Sequence, residues 1–251
     1  MSTAQTPRTA IVTGGASGIG GAIARRLAAD GASVAIFDRD GAAAQAAAKS
    51  IAENGNRAIG YEVDVTDRAA IDAGVAQVRE QLGAPGILVN SAGVTIAGPS
   101  LEVTAETWNQ VLAVNLTGTF DCCQAVLPDM IAAGWGRIVN ISSSSMHSGV
   151  PGMAAYVSSK AGVVGLTKVL ALEFGRSGVT VNTIPPGFIE TPMMRDSLSK
   201  GVFDFDLQVS RTPVGRIGQP EDIAATTAFL VSEEAGYITG QVIGVNGGRN
   251  T

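Results

Sequence analysis

The chain has 251 residues, 45% of them hydrophobic and 16% charged, a balance that excludes a disordered polymer and suits one α/β domain around a well-covered sheet. A formal net charge of −5 supplies no field to attract a polyanion, so no nucleic-acid partner is expected. The polar opening lacks a signal-peptide core and no stretch stays apolar for the depth of a bilayer, so the expectation is a cytoplasmic protein with no membrane partner.

The first strand, Thr9 to Val12, runs into Thr13-Gly14-Gly15-Ala16-Ser17-Gly18-Ile19-Gly20, and a helix from Ile19 to Ala29 closes at Asp30-Gly31. Glycines here let the backbone turn tightly and approach a pyrophosphate, whose charge meets free N–H groups at the helix start. A second strand, Ser33 to Phe37, ends in Asp38, twenty residues beyond Gly18, the spacing of a carboxylate that accepts hydrogen bonds from the adenosine ribose hydroxyls. Strand, glycine loop, helix, strand and acid in that order predict a dinucleotide site.

An alanine-rich helix, Ala42 to Glu53, leads to a strand at Ala58 to Val63, then Asp64-Val65 and a helix capped by Thr66 or Asp67. The next strand, Ile87 to Val89, ends in Asn90-Ser91-Ala92-Gly93; a long helical segment from Ala105 contains Asn115 and reaches Pro128. In it Cys122 and Cys123 are adjacent and point in different directions, which reads as two reduced core thiols, and no Cys/His spacing suggests a metal. Strands follow at Arg137 to Ile141, at Thr180 to Ile184 before Pro185-Pro186-Gly187, and at Gln241 to Val245, with a helix opening near Pro220. Apolar strands alternating with helices predict a single domain over residues 1–251, a Rossmann-type doubly wound parallel sheet of about seven strands with helices on both faces.

Between the fifth and sixth strands lies Ser143 to Lys160. Tyr156 and Lys160 are four apart, so on a helix they share a face. An ammonium beside a phenol favours the phenolate, and the Tyr156 pKa is expected to fall from about 10 toward working pH, making a general base.

With these residues in place, the chain resembles the short-chain dehydrogenase/reductase family over essentially its whole length. Gly14, Ser17, Gly18, Ile19 and Gly20 resemble its cofactor loop; Asp64 and Val65 resemble its adenine-contacting pair. Asn90, Ala92 and Gly93 match its N-N-A-G turn, with Ser91 replacing the second asparagine. Pro186, Gly187, Ile189 and Thr191 resemble the segment that meets the nicotinamide, and YITGQVIGVNGG resembles the family's last helix-to-strand passage. Ser143, thirteen residues before Tyr156, is the family serine among Ser142 to Ser145. The resemblance implies hydride transfer with Tyr156 as acid/base, Lys160 tuning it and holding the ribose, Ser143 donating to the substrate oxygen, and Asn115 positioning a water. For Asn115 a purely local role in distorting its helix stays open. The resemblance also implies a homotetramer paired through the Tyr156 helix, where Ala161, Gly162 and Gly165 are small.

Asp38, with Ser17 where NADP-preferring relatives often carry a basic residue, favours NAD as cofactor, although Arg39 is able to turn toward a 2′-phosphate of NADP. The segment from 193 to 211 sits where the family places its substrate lid. Its apolar residues suit either a lid or an amphipathic helix packed on the domain. Ser145, His147, Met153, Met193 and Phe203 are the candidate substrate contacts; for His147 a solvated loop position is the competing reading. A small-molecule secondary alcohol or hydroxyacyl substrate and its ketone rank first. A carrier-protein 3-oxoacyl reductase using NADPH ranks second, because Gly134 and Ser177 stand where such relatives often have arginines and only Arg137 and Arg176 lie nearby. A dinucleotide-binding scaffold without turnover is the third reading.

Overall fold

The computed structural model describes residues 8–199 and 204–249. Six parallel strands form one sheet: β1 (Thr9–Thr13), β2 (Ser33–Asp38), β3 (Ala58–Glu62), β4 (Pro85–Asn90), β5 (Gly136–Ile141) and β6 (Val179–Ile184), in the order β3-β2-β1-β4-β5-β6. Helices α1 (Gly18–Ala29), α2 (Gly41–Glu53) and α3 (Arg68–Gln81) follow the first three strands. Helices α4 (Ala105–Leu112) and α5 (Gly118–Ala133) precede β5, the single turn α6 (Ser145–Ser148) and the long α7 (Ala154–Phe174) precede β6, and α8 (Pro192–Ser199), α9 (Phe205–Ser210) and α10 (Pro220–Leu230) complete the chain order.

Strand side chains alternate between two cores. In β1, Ala10 and Val12 pack with Ile23 and Leu27 of α1, Ile51 of α2 and Ile223 of α10, whereas Ile11 packs with Ile71 of α3, Met130 of α5 and Leu170 of α7. Both faces are therefore apolar. Asp67 resolves the start of α3, its Oδ1 accepting from Ala69 N at 2.9 Å and Ala70 N at 3.2 Å, and Asp40 caps α2 the same way at Ala43 N, 2.9 Å. The predicted continuous helix from Ala105 is interrupted: residues Ala113–Thr117 form a π-turn between α4 and α5, with Asn115 at its centre.

The expected seventh strand at 241–245 is the main departure, and the sheet has six strands. The segment does run parallel to β6, with Thr183 N donating to Gln241 O and Ile243 N to Thr183 O, both at 2.9 Å. The next donor in the ladder would be Pro185, which has no N–H. Val245 N reaches Pro185 O only at 3.4 Å before Gly187 N donates to Val245 O at 3.0 Å, so isolated bridges replace a strand.

Strand order reverses between β1, which continues outward to β2 and β3, and β4, which continues to β5 and β6. Crossovers leave in opposite directions there, and a crevice opens beyond the carboxyl ends of the strands.

Candidate active site

A cavity of about 640 Å³ occupies that crevice. Its floor is the turn after β1. Gly14 has φ +62°, and a Cβ on it would lie 2.9 Å from the Ala92 Cα. A Cβ on Gly20 would lie 2.2 Å from the Gly14 carbonyl oxygen, so α1 packs onto the turn only with glycine at both places. Thr13 ties the two central strands together, its Oγ1 accepting from Ser91 N and Ala92 N at 3.1 Å each. The Ser17 side chain does not cap α1, so the first N–H groups of that helix are left for a ligand.

Asp38, at the end of β2, is fixed by backbone donors: Ala16 N reaches Oδ2 and Asp40 N reaches Oδ1, each at 3.2 Å. The carboxylate is thereby held against the glycine loop. Asp64 Oδ1 accepts from Thr66 N and Oγ1, both at 2.8 Å, and Asp64 and Val65 form the wall opposite. A backbone cradle that only glycine permits, an uncapped helix start and an anchored acid together fit a nicotinamide dinucleotide.

At the other end stand Ser143, Tyr156 and Lys160. The Ser143 and Tyr156 hydroxyls are hydrogen-bonded, and Thr95 bonds the same phenol. Burial pushes the Tyr156 phenol above its ordinary value; the Ser143 and Thr95 bonds pull it back, and the net direction is up. That corrects the expectation of a lowered pKa. The reason is placement, because the Lys160 ammonium sits 5.9 Å from the Tyr156 ring centre and donates to Ile141 O at 2.9 Å. Burial in turn pulls the Lys160 ammonium down to about 8.

All four serines from Ser142 to Ser145 line the cavity, and their hydrogen bonds differ. Ser142 is buried beneath the sheet end, accepting from Thr183 Oγ1 at 2.9 Å. Ser143 Oγ lies 2.9 Å from Ser145 Oγ, and Ser144 N donates to Pro186 O at 3.0 Å, which fastens this loop to the 186–187 segment. Asn115 is fully buried behind the wall: Oδ1 accepts from Val94 N at 2.8 Å, while Nδ2 donates to Val94 O and Ser159 Oγ at 3.0 Å. A Cβ on Gly93 would come within 3.4 Å of both Asn115 Oδ1 and Lys160 Nζ, so this glycine lets the two close on each other. The helix distortion expected around Asn115 is present, and its side chain serves the Val94 backbone groups.

Of the remaining expected residues, Ala92, Gly93, Pro186, Gly187, Ile189 and Thr191 line the cavity, as do Ser145 and Met153. Two do not reach it. Asn90 turns into the core, where Nδ2 donates to Asn140 Oδ1 at 2.8 Å and Cys123 Sγ at 3.3 Å. His147 is exposed, because it lies two residues beyond Ser145 on the single turn α6 and so points away from the face that Ser145 gives to the cavity. The backbone of Met193 lies in α8, and its neighbour Met194 is buried on the cavity wall; Phe203 falls outside the described residues. Sequence reasoning missed Thr95, Gln110, Phe188 and Arg249 on the wall. Only Thr95 carries a signal, two residues past Gly93 at the end of the turn already matched to the family's N-N-A-G. Within the lid segment Gln208 is buried while Phe205 and Leu207 face solvent, the reverse of a helix packing an apolar side on the domain.

This is a dinucleotide-binding α/β protein with a Ser-Tyr-Lys hydroxyl cluster at the strand ends. A family model described as enoyl-(acyl carrier protein) reductase matches residues 14–250. The chain is 43% identical to the hydroxy(phenyl)methyl-succinyl-CoA dehydrogenase subunit BbsD of Thauera aromatica, over 97% of this chain and 96% of that one. It is 40% identical to the 3-oxoacyl-acyl-carrier-protein reductase FabG of Chlamydia trachomatis, over 96% of each. The structure titled as a putative gluconate dehydrogenase from Agrobacterium tumefaciens superposes with a TM-score of 0.93 at 33% identity, over 97% of this chain and 96% of that one. The chain belongs to the short-chain dehydrogenase/reductase family. Among the described residues no helix is long and apolar enough to cross a membrane.

Proposed function

We propose that this protein is a cytoplasmic, NAD-dependent oxidoreductase that interconverts a secondary alcohol or hydroxyacyl group and its ketone. The observation that carries the reading is the hydrogen-bonded pair of Ser143 and Tyr156 hydroxyls, set over Lys160 in a cavity that opens onto the glycine loop. When bound, the nicotinamide supplies the hydride acceptor or donor. Ser143 donates to the substrate oxygen as charge grows there, a contact worth about 3 kcal/mol in the transition state. Tyr156 removes the hydroxyl proton in oxidation and returns it in reduction. Lys160, with its pKa drawn to about 8, is able to exchange a proton near working pH, and the family resemblance gives its ammonium the further role of holding the ribose hydroxyls. The segment from 193 to 211 acts as the lid, with Met194 of α8 already against the cavity.

Asp38 supports NAD. Its carboxylate is pinned where the adenosine ribose is bound in this family, and a 2′-phosphate would be repelled. Arg39 is exposed beside it and has water as an alternative partner. Initial rates with NADH should exceed those with NADPH; equal kcat/KM for the two would refute the preference. The carrier-protein reading is disfavoured by Arg137, which is buried, donates to Gly136 O at 2.9 Å and stacks 4.5 Å from the Trp135 ring centre. It is not available to an acidic carrier. Oxidation of a panel of secondary alcohols and hydroxyacyl thioesters with NAD, read as reduced cofactor, tests the assignment: no turnover of any member would leave only the scaffold reading, and a requirement for carrier-bound substrate would reverse the ranking.

A further inference from the structure

Arg249 reaches the cavity wall beside Phe188, the residue after Gly187, with its guanidinium carbon 4.6 Å from the Phe188 ring centre. Its Nη1 donates to Gln208 Oε1 at 2.8 Å and to Gln208 O at 3.3 Å. Gln208 is the buried side chain of α9, so the helix that turns Phe205 and Leu207 outward presents an amide to hold this arginine. Nη1 alone is committed by these bonds. The Nε–Nη2 edge, the side of the fork that pairs a carboxylate or phosphate through two parallel hydrogen bonds, has no protein acceptor among the described residues.

The surrounding charge is of the wrong sign for a structural ion pair. Among the described residues no carboxylate pairs with Arg249; burial, and then the like charge of Arg211, draw its pKa below the ordinary value. A half-buried guanidinium facing a second cation is costly until an anion joins it. The other ionised groups on the wall are accounted for, since Asp38, Arg39 and Asp64 belong to the adenosine end and Lys160 lies by Tyr156. Arg249 is the one ionised wall residue not so accounted for among the described residues.

We propose that Arg249 reads an anionic group on the substrate, its Nε–Nη2 edge receiving a carboxylate or phosphate oxygen pair carried by the alcohol or by its acyl group. The inference rests on the reading of the cavity as an alcohol site. It is tested with three forms of one carbinol, 3-hydroxybutyrate, its methyl ester and its coenzyme A thioester, oxidised with NAD by the wild type, Arg249→Gln and Arg249→Lys. The wild type should prefer a charged form over the methyl ester, and Arg249→Gln should raise KM for that form about tenfold, the loss of one charge-assisted contact. Arg249→Gln should leave the methyl ester unaffected, and Arg249→Lys should recover part of the loss. Whether the free acid or the thioester shows the effect assigns the anion to carboxylate or phosphate. A Gln variant that keeps the preference, or that loses the ester equally, overturns the proposal. So does a matching rise in the NADH dissociation constant by fluorescence titration, which would give Arg249 to the cofactor. If no form is oxidised, the functional reading fails separately. Arg249 is then judged by thermal shift of the NADH-loaded protein, where stabilisation by the charged forms over the ester in the wild type, lost in Arg249→Gln, is expected. Equal shifts overturn it.

Discussion

Tyr156 is raised by burial and lowered by two hydroxyl neighbours, so its readiness as a base depends on groups that never touch the hydride. Replacing it by phenylalanine should abolish turnover while dinucleotide binding persists; near-normal rates in that variant would remove it from the mechanism. Because the Thr95 bond lowers the phenol's pKa, Thr95→Val should raise it, and the rising limb of kcat/KM for oxidation should move to higher pH. A superimposable pH profile would show that bond to be idle. Lys160 permits a stability test. Its folded pKa of about 8 lies below the ordinary 10.5, so between these values the native state binds fewer protons than the unfolded one and stability rises with pH. The cost of burying the ammonium is thus full below 8 and gone by 10.5. Cys122 and Cys123, both pushed up by burial, act oppositely above about 9, so the readout is a difference: Lys160→Met should gain most over the wild type near pH 7, and the gain should shrink toward pH 10 in denaturant melts. At this scale helical spacing put Tyr156 and Lys160 on one face, and the family resemblance picked Ser143 out of the serine run. The sequence did not show that Lys160 leans on Ile141 O or that Asn90 turns into the core, because those outcomes depend on which partner lies opposite across the sheet.

Among the elements, the loop from β1 to α1 was the most legible, since its glycines are demanded by backbone approach and leave a mark in the sequence. Gly20→Ala places a Cβ 2.2 Å from the Gly14 oxygen, and relief requires α1 to lift from the turn. Overpacking of this kind costs about 1–3 kcal/mol, and loss of NADH binding should accompany the drop in melting temperature. Retained affinity would mean that the loop tolerates the shift. The segment at 241–245 was misread as a strand for a physical reason: its own pattern is strand-like, but its ladder is broken by Pro185 on the partner. In the segment from 193 to 211 the alternative of an amphipathic helix packed on the domain does not hold for α9. Apolar spacing suggested an inward face, whereas α9 gives its buried position to Gln208, whose partner Arg249 is forty-one residues away.

For the whole molecule, alternation of apolar strands with helices was enough to specify a doubly wound sheet and one domain. The assembly expected from the family has a surface to use. On α7, Val169 is 51% and Leu172 85% exposed, and Phe120 of α5 and Trp108 of α4 are also open. Gly165 has nothing near its Cβ position, whereas Gly162 is already filled by Leu116. Thus only part of the small-residue stripe read from the sequence is free for another copy. If these helices pair across a two-fold axis, Val169→Glu with Leu172→Glu should shift sedimentation from tetramer to smaller species. A wild type that sediments as a monomer would count against the assembly.

The π-turn at residues 113–117 has a consequence for engineering. An irregular stretch of helix is a natural target for stabilising substitutions, and regular helix hydrogen bonding would be recovered if that turn were straightened. Straightening it would also withdraw Asn115 from both backbone groups of Val94 and loosen the loop that carries Thr95 to Tyr156. A library selected on thermal tolerance alone would therefore enrich for changes here that improve the helix and disable the enzyme, the trade expected where local irregularity serves a site.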